Sequence, residues 1–181
     1  MTLSDSLISI FVLVIISMLV VGIFVSYYRY FQIEVAHKNL NASNITALDN
    51  ISTWIRGAVL VVETMDINGT IYTSDSDTLI LELPSLDSQQ NIIPDIFDNI
   101  VFYRDTVNSN LLKSDILLGT RSNRSPGVHL VANYLDSITF NYNDTSFPAI
   151  NKIEVIISSD QTVHDKQITL GAQTTVKMRN K

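Results

Sequence analysis

Cysteine is absent from the 181-residue chain, and basic residues are fewer than acidic ones. Without cysteine the protein has no disulfides, no thiolate metal ligands and no cysteine nucleophile, while the redox compartment stays undetermined. Because 12 Lys and Arg stand against 18 Asp and Glu, the net charge of -6 gives no general attraction to nucleic acid or anionic lipid. We therefore do not expect nucleic acid as a partner, since that would require a local basic patch.

Signatures of an enzyme are also absent. The sequence has no Gly-x-Ser-x-Gly motif and no phosphate-binding glycine loop, and His37, His129 and His164 fall in separate predicted elements without ligand spacing. The acidic segment Asp75-Ser76-Asp77 offers oxygen atoms, but its spacing differs from that of an EF-hand loop and a solvated turn explains it as well. We predict a protein that is not an enzyme, with no catalytic residue, no metal site and no cofactor.

A long uncharged stretch occupies the N-terminus. From Ser6 to Tyr28 there is no charged residue, and a helix of that length runs about 35 Å, enough to cross a hydrocarbon core of about 30 Å. No basic region precedes it and no small-residue cleavage site follows, so we expect it in the mature protein. The flanking charges Asp5 and Arg29 place the start outside by the positive-inside rule, unless a basic leader has been removed before Met1; both orientations stay open.

The first residues carry a family resemblance. The start Met1-Thr2-Leu3-Ser4-Asp5, followed by the apolar run Leu7 to Leu13, is similar to the processed N-terminus of type IV pilins and pseudopilins. The resemblance implies that a prepilin peptidase generates Met1 and that its amine is N-methylated. In the family, a glutamate at the fifth position pairs with the N-terminal amine of a neighbouring subunit. Asp5 keeps that charge on an arm one methylene shorter, which implies pairing between Asp5 and Met1 of adjacent subunits.

Two positions in this segment have a second interpretation. Asp5 also fits a helix N-cap or first-turn residue in the headgroup region of an ordinary single-pass anchor. Gly22 stands where many family members carry proline, and glycine weakens a helix by about 1 kcal/mol, so the resemblance implies that the helix loosens there in the assembled fibre. The alternative for Gly22 is a position of close helix–helix packing in the membrane. The sequence does not separate these interpretations.

Beyond the apolar stretch, the spacing of apolar residues predicts that the helix continues toward Glu63 with one apolar face. A polar run between Asn39 and Thr46 predicts a break or a frayed turn within it. We divide the chain into a transmembrane and filament-core helix at 1–29, an amphipathic helix entering the head at 30–64, and a β-rich head at 65–181. The apolar face consists of Ile33, Leu40, Ala47, Leu48, Ile51, Ile55, Ala58, Val59 and Val62.

The remainder of the chain has the alternation of short strands. The predicted fold class is α+β, with a long N-terminal helix whose second half packs against an antiparallel sheet, because neither element covers its apolar face alone. Asn68-Gly69 predicts a hairpin turn. Predicted strands are Thr70 to Thr73, Thr78 to Leu83, Ile100 to Arg104, Ser137 to Tyr142, Ile153 to Ser158 and Gln167 to Lys177.

The head also resembles a family. The runs Thr78 to Pro84, Ile100 to Arg104 and Asn110 to Lys113, together with the order of the later strands, look like J-type minor pseudopilins and related minor pilins. Some minor pilins bind DNA, and two small basic clusters exist: Arg121 with Arg124, and the tail residues Lys177, Arg179 and Lys181. Neither cluster is large or interleaved with aromatic residues, so we interpret them as solvated loop and tail charges.

The resemblance implies a structural protein of the bacterial cell surface: a subunit of a type IV pilus (fimbrium) or pilus-like filament, assembled through its N-terminal helix. Implied partners are identical subunits, the inner or cytoplasmic membrane before assembly, the prepilin peptidase, an assembly ATPase and an inner-membrane platform. One alternative is a minor pilin or a type II secretion pseudopilin. An alternative of another class is a single-pass, membrane-anchored extracellular binding protein that never polymerises.

Overall fold

One continuous helix, α1, spans Leu3–Gly57 in the computed structural model. The structure describes residues 3–67 and 69–179, apart from the side chains of Leu3, Asp5 and Ser6. No proline occurs within α1, so nothing removes a hydrogen bond from its interior. At 1.5 Å per residue the helix is roughly 80 Å long, which is more than twice the thickness of a hydrocarbon core.

The break expected between Asn39 and Thr46 is wrong, because α1 runs through this range. Two of the polar side chains bond to the rest of the protein instead of competing for the helix backbone. Asn44 is buried, donates its Nδ2 to the carbonyl oxygen of Leu170 at 3.0 Å and accepts a hydrogen bond from Ser159 Oγ at 2.6 Å. The neighbouring Ser43 hydroxyl donates to a carbonyl in the loop that follows β7 (Gly127–Ala132).

The C-terminal end of α1 also differs from expectation. The helix ends at Gly57, so the expected continuation to residue 64 is wrong. The next residues pair with a strand: Val59 N–H donates to Glu82 O at 2.8 Å, and Val62 N–H donates to Ile80 O at 3.0 Å. The run Val59 to Val62 is rich in β-branched residues, which suit a strand better than a helix.

The strands form three antiparallel sheets. In chain order the strands are β1 (Leu60–Val61), β2 (Thr64–Ile67), β3 (Thr70–Thr73), β4 (Leu79–Leu86), β5 (Ile92–Arg104), β6 (Leu112–Leu117), β7 (Gly127–Ala132), β8 (Leu135–Tyr142), β9 (Lys152–Val163) and β10 (Lys166–Lys177). A five-stranded sheet has the order β1-β4-β5-β6-β7, a three-stranded sheet has the order β10-β9-β8, and β2 pairs with β3 as a separate hairpin. A short 3-10 turn at Phe147–Ala149 precedes β9.

The second half of α1 lies at the centre of the head. It packs against β9 and β10 of one sheet and against β4 and β7 of the other. Ile51 and Ile55 are fully buried, and each stabilises the fold by about 1.5–3 kcal/mol through lost contact with water. The α+β class and the packing of the helix's second half against antiparallel sheets are therefore confirmed.

The predicted hairpin at Asn68-Gly69 is confirmed in its strands and in the part of its turn that the structure describes. β2 and β3 pair from Thr64 opposite Thr73 to Ile67 opposite Thr70. Gly69 has a φ of +85°, a conformation that glycine adopts without steric cost, and its N–H donates to Asp66 Oδ1 at 2.8 Å. Asn68 lies outside the described residues.

Candidate functional site

The first half of α1 has no packing partner within the described part of the chain. We call residues 7–31 the stem, since every one of them is exposed. Its side chains are apolar on all sides of the helix; Met18 and Ile23, for example, are each 70% exposed. A helix that is apolar all round requires an apolar environment, which is either lipid or a bundle of other helices. The helix is long and apolar enough to cross a membrane.

The polar groups of the stem are arranged as an apolar environment requires. Ser17 Oγ donates to Leu13 O at 2.8 Å, so its hydroxyl is satisfied within the helix itself. Where the uncharged stretch ends, Tyr27, Tyr28 and Tyr30 lie exposed around Arg29. Aromatic rings with a polar tip are enriched at the boundary between membrane and water. These features are compatible with a membrane span whose C-terminal end lies at the boundary between membrane and water.

Two of the sequence-predicted assembly residues, Met1 and Asp5, precede the stem in the sequence, and the third, Gly22, lies within it. Met1 lies outside the described residues, and Asp5 is placed by its helical backbone alone, so their pairing stays a prediction. Gly22 is within the unbroken helix, and a Cβ atom added to it would meet no atom within 4 Å beyond the adjoining backbone of its own helix. The loosening of the helix at Gly22 in a fibre likewise stays a prediction, as does its alternative of close helix packing.

The stem joins the head without a flexible linker. Ala36 and Leu40 of α1 are buried against Ile168 of β10, with Val163 and Leu170 packed around them. The hydrogen bonds of Asn44 to β9 and β10 lie one turn further along the same helix. The head therefore fixes the direction in which the stem leaves it.

Inside the head, a buried carboxylate holds the loop between β6 and β7. Asp98 of β5 is fully buried and accepts four hydrogen bonds. Its Oδ1 accepts from Ser85 Oγ at 2.7 Å and from Gly119 N–H at 2.8 Å. Its Oδ2 accepts from Ser122 Oγ at 2.8 Å and from Arg124 Nη1 at 3.0 Å. These bonds replace the water that a charged carboxylate loses on burial.

The structure reorganises the two basic clusters of the sequence. Arg124 and Arg179 line one cavity of about 460 Å³, and Arg56 from the last turn of α1 joins them. Arg121 is exposed and does not line this cavity, and Lys181 lies outside the described residues. Sequence inspection missed Arg56 because the helix was expected to continue beyond it.

The three histidines lie on separate elements, and the acidic segment at Asp75 is held by hydrogen bonds to its own backbone. His37 lies on α1, His129 on β7, and His164 in the turn between β9 and β10. In the described ranges, no group of three or more His, Cys, Asp or Glu side chains could hold a metal ion. Asp75 Oδ1 accepts the backbone N–H groups of Asp77 at 3.0 Å and Thr78 at 2.8 Å, which is the hydrogen bonding of a solvated turn.

Comparison of the chain with models of known protein families, with curated proteins and with solved structures finds no match. The exposed stem and the cavity with three arginines are two of the features that the packing of the described residues leaves open.

Proposed function

We propose that the chain is the structural subunit of a type IV pilus or a pilus-like extracellular filament. The observation that carries this proposal is a single unbroken helix whose first half is apolar and exposed on all sides, while its second half forms the core of a folded head. Such a helix can move from lipid into a bundle of identical helices without changing the polarity of its surroundings. The head remains outside the apolar phase in both states.

Before assembly the subunit stays in the membrane, with the stem in the bilayer and the head on the outer side. Assembly transfers the stem into the filament, where Asp5 neutralises the amine of Met1 on an adjacent subunit. A carboxylate at the centre of a membrane helix costs about 2.5–3.5 kcal/mol on insertion scales, so a deeply placed Asp5 gains from a cationic partner. The prepilin peptidase, the assembly ATPase and the inner-membrane platform belong to this proposal through the resemblance of the N-terminus.

Minor pilins and secretion pseudopilins share the same plan and differ in abundance. A major subunit dominates filaments sheared from the cell surface, whereas a minor subunit or pseudopilin is a trace component of them. The alternative of another class, an anchored binding protein, keeps its stem in lipid permanently. The three hypotheses therefore differ in where most molecules of this protein are found in the cell.

The test compares Asp5→Ala with Asp5→Glu in cells that produce the protein. We expect Asp5→Ala to reach the membrane with a folded head but to yield few filaments, and Asp5→Glu to retain assembly because it keeps the carboxylate. Filament yield is measured by shearing, with intact mass and N-terminal sequencing used to detect a leader-free, methylated Met1. Normal filament yield from Asp5→Ala would refute the pairing, and an unprocessed chain confined to the membrane fraction would favour the anchored binding protein.

A further inference from the structure

Three arginines from distant parts of the sequence meet at the C-terminal end of α1. Arg56 lies in the last turn of the helix, Arg124 in the loop between β6 and β7, and Arg179 directly after β10. The cavity that they share measures about 460 Å³, and its described lining includes no Asp or Glu. On a chain with a net charge of -6, this is a local site of positive charge.

Within the described residues, one of the three guanidinium groups has an ion-pair partner. Arg124 forms an ion pair with the buried Asp98 at 3.0 Å, and its Cζ lies 5.6 Å from the centre of the Trp54 ring. These two contacts fix the position of Arg124 before any ligand arrives. Among the residues that the structure describes, no carboxylate lies within ion-pairing distance of Arg56 or Arg179. Arg56 and Arg179 therefore bring two positive charges to one cavity with no carboxylate partner among the described residues.

The chemistry of the cavity favours a phosphate group. Arginine presents its N–H donors in a planar fork that fits phosphate oxygens with two parallel hydrogen bonds. A phosphate monoester carries close to two negative charges above its second pKa of about 6, which matches the two positive charges of Arg56 and Arg179. The negative end of the α1 dipole opposes an anion at this end of the helix, so the arginines are required for binding.

Apolar side chains also line the cavity. Pro84 and Leu86 at the end of β4 and Ile92 at the start of β5 face it, beside the polar Thr53 of α1. Ile92 is 65% exposed although it is a large apolar residue. An apolar group attached to the phosphate would cover these side chains and remove their surface from water.

Membrane lipid is too far away to be the source of the phosphate. Along α1, Arg56 lies about 40 Å beyond Tyr28, where the uncharged stretch ends, at 1.5 Å per residue. A headgroup at the surface of a membrane crossed by the stem does not reach this distance. The ligand must therefore approach from the aqueous side of the head.

We infer that the cavity lined by Arg56, Arg124 and Arg179 is a binding site for a ligand that combines a doubly charged phosphate group with an apolar part. The inference concerns the head alone and does not depend on filament assembly. It also gives Trp54, the single tryptophan of the chain, a role as a spectroscopic reporter, because its ring contacts Arg124.

The test uses the full chain in a non-ionic detergent at about 0.01 M ionic strength, where charges are screened over about 30 Å. Phenyl phosphate, which is a dianion at about pH 8, is titrated while Trp54 fluorescence is followed. Benzoate, succinate and phenol are titrated in parallel. We expect saturable binding of one phenyl phosphate per chain, weaker binding of benzoate and succinate, and no binding of phenol.

The variants Arg56→Gln and Arg179→Gln should each raise the Kd for phenyl phosphate by about tenfold, since each removes one charge-assisted pair. Both residues are exposed, so circular dichroism should show an unchanged fold. The matched control is Arg121→Gln, which removes the same charge outside the cavity and should change the Kd less than about twofold. Absence of saturable binding, an equal loss from Arg121→Gln, or tighter binding of succinate than of phenyl phosphate would overturn the inference.

Discussion

Asp98 shows how individual side chains in this head are held. The carboxylate is fully buried, and each of its oxygens accepts two hydrogen bonds, one of them from a guanidinium group. Removing one partner of such a buried pair typically costs about 3–5 kcal/mol, because the remaining group loses its compensation. The loop between β6 and β7 is thus tied to β5 through a single residue.

Gly119 gives the sharpest prediction at this scale. A Cβ atom there would lie 2.5 Å from the carbonyl oxygen of Phe97 and 2.6 Å from Ile96 Cγ2, while the Gly119 N–H donates to Asp98. Gly119→Ala must therefore push the loop away from β5, and we expect a loss of about 1–3 kcal/mol in the free energy of unfolding. Thermal unfolding followed by near-ultraviolet circular dichroism measures it.

The control for that substitution is Gly171→Ala in β10. A Cβ atom there would have its nearest neighbour, the carbonyl oxygen of Ile157, at 3.8 Å, which is an ordinary contact. We expect this variant to be as stable as the natural chain or slightly more stable, because alanine restricts the unfolded state. Equal destabilisation by both alanines would show that the crowding around Gly119 is not the cause.

A second prediction at this scale concerns pH. Lys113 Nζ lies 2.7 Å from Asp105 Oδ2, and this contact lowers the pKa of Asp105 below its ordinary value of 3.8. Because the folded-state pKa is the lower one, the contact contributes its full stability above about pH 3.8 and loses it as the pH falls through the folded-state pKa. We expect Lys113→Gln to raise the pKa of Asp105 toward 3.8, as measured by carbon NMR of the carboxyl group.

Asp87 provides the internal reference for the same titration. Its pKa is also lowered, but chiefly by a hydrogen bond from the backbone N–H of Asn91. The Lys113 substitution should leave Asp87 unchanged. If the pKa values of both carboxyl groups rise together, the general effect of removing one positive charge is responsible. If neither pKa moves, the Lys113 contact does not lower the pKa of Asp105.

At the scale of elements, periodicity located the helix and most long strands, and it failed at their ends. Ile55, Ala58, Val59 and Val62 have the spacing of a helical face, yet the last three follow the helix. Val59 and Val62 instead donate hydrogen bonds to β4. Spacing alone does not distinguish a helical turn from a short buried strand of β-branched residues. Only the partner strand β4, distant in sequence, decides the outcome.

The first part of β5 and the whole of β6, which the sequence did not predict as strands, have local signals that contradict their final state. β5 begins at Ile92 and not at Ile100 as predicted. Its first part was not predicted because Pro94 and Asp95 are residues typical of a loop, and Asp95 has a φ of +57°. That part of β5 lies where the register with β4 shifts, so a missing N–H donor is tolerated. β6 was missed because Ser114 and Asp115 are polar yet buried, which removes the expected alternation.

The two candidate sites, the stem and the arginine cavity, differ in how far the sequence alone predicts them. The stem follows from composition, because a run without charge is local information that needs no partner. The arginine cavity could not be predicted, since Arg56, Arg124 and Arg179 come together only through the packing of α1, the β6–β7 loop and the end of β10. Asp98, which positions Arg124, stands before the strand expected at Ile100 to Arg104, so nothing in the sequence marked it as a buried residue.

The whole molecule is a rod with one folded end. The same helix supplies the exposed stem and the centre of the head, and the contacts of Ala36, Leu40 and Asn44 with β9 and β10 fix the direction between them. Rotating the head therefore rotates the stem. In a filament, this rigidity would let contacts between stems determine where successive heads are placed.

The last prediction tests that assembly directly, and it uses the absence of natural cysteine. Met18→Cys introduces one thiol at a site that is 70% exposed on the stem, and Val107→Cys introduces one in a loop of the head that is 93% exposed. If stems bundle in the filament, their axes lie about 8–10 Å apart, and a short bifunctional thiol reagent joins neighbouring Met18→Cys chains into covalent dimers.

A chain that carries both Met18→Cys and Asp5→Ala should stay monomeric in the membrane fraction under identical treatment, because lipid then separates the stems. Val107→Cys controls for reactivity: in intact filaments its thiol should react with a water-soluble maleimide, while the thiol of Met18→Cys should be protected until the filament is dissolved in detergent. Met18→Cys dimers that form equally in filaments and in the Asp5→Ala membrane would mean that stem contact does not require assembly. Complete absence of dimers in sheared filaments would show that the stems are not in contact, and would refute the proposed bundle of stems.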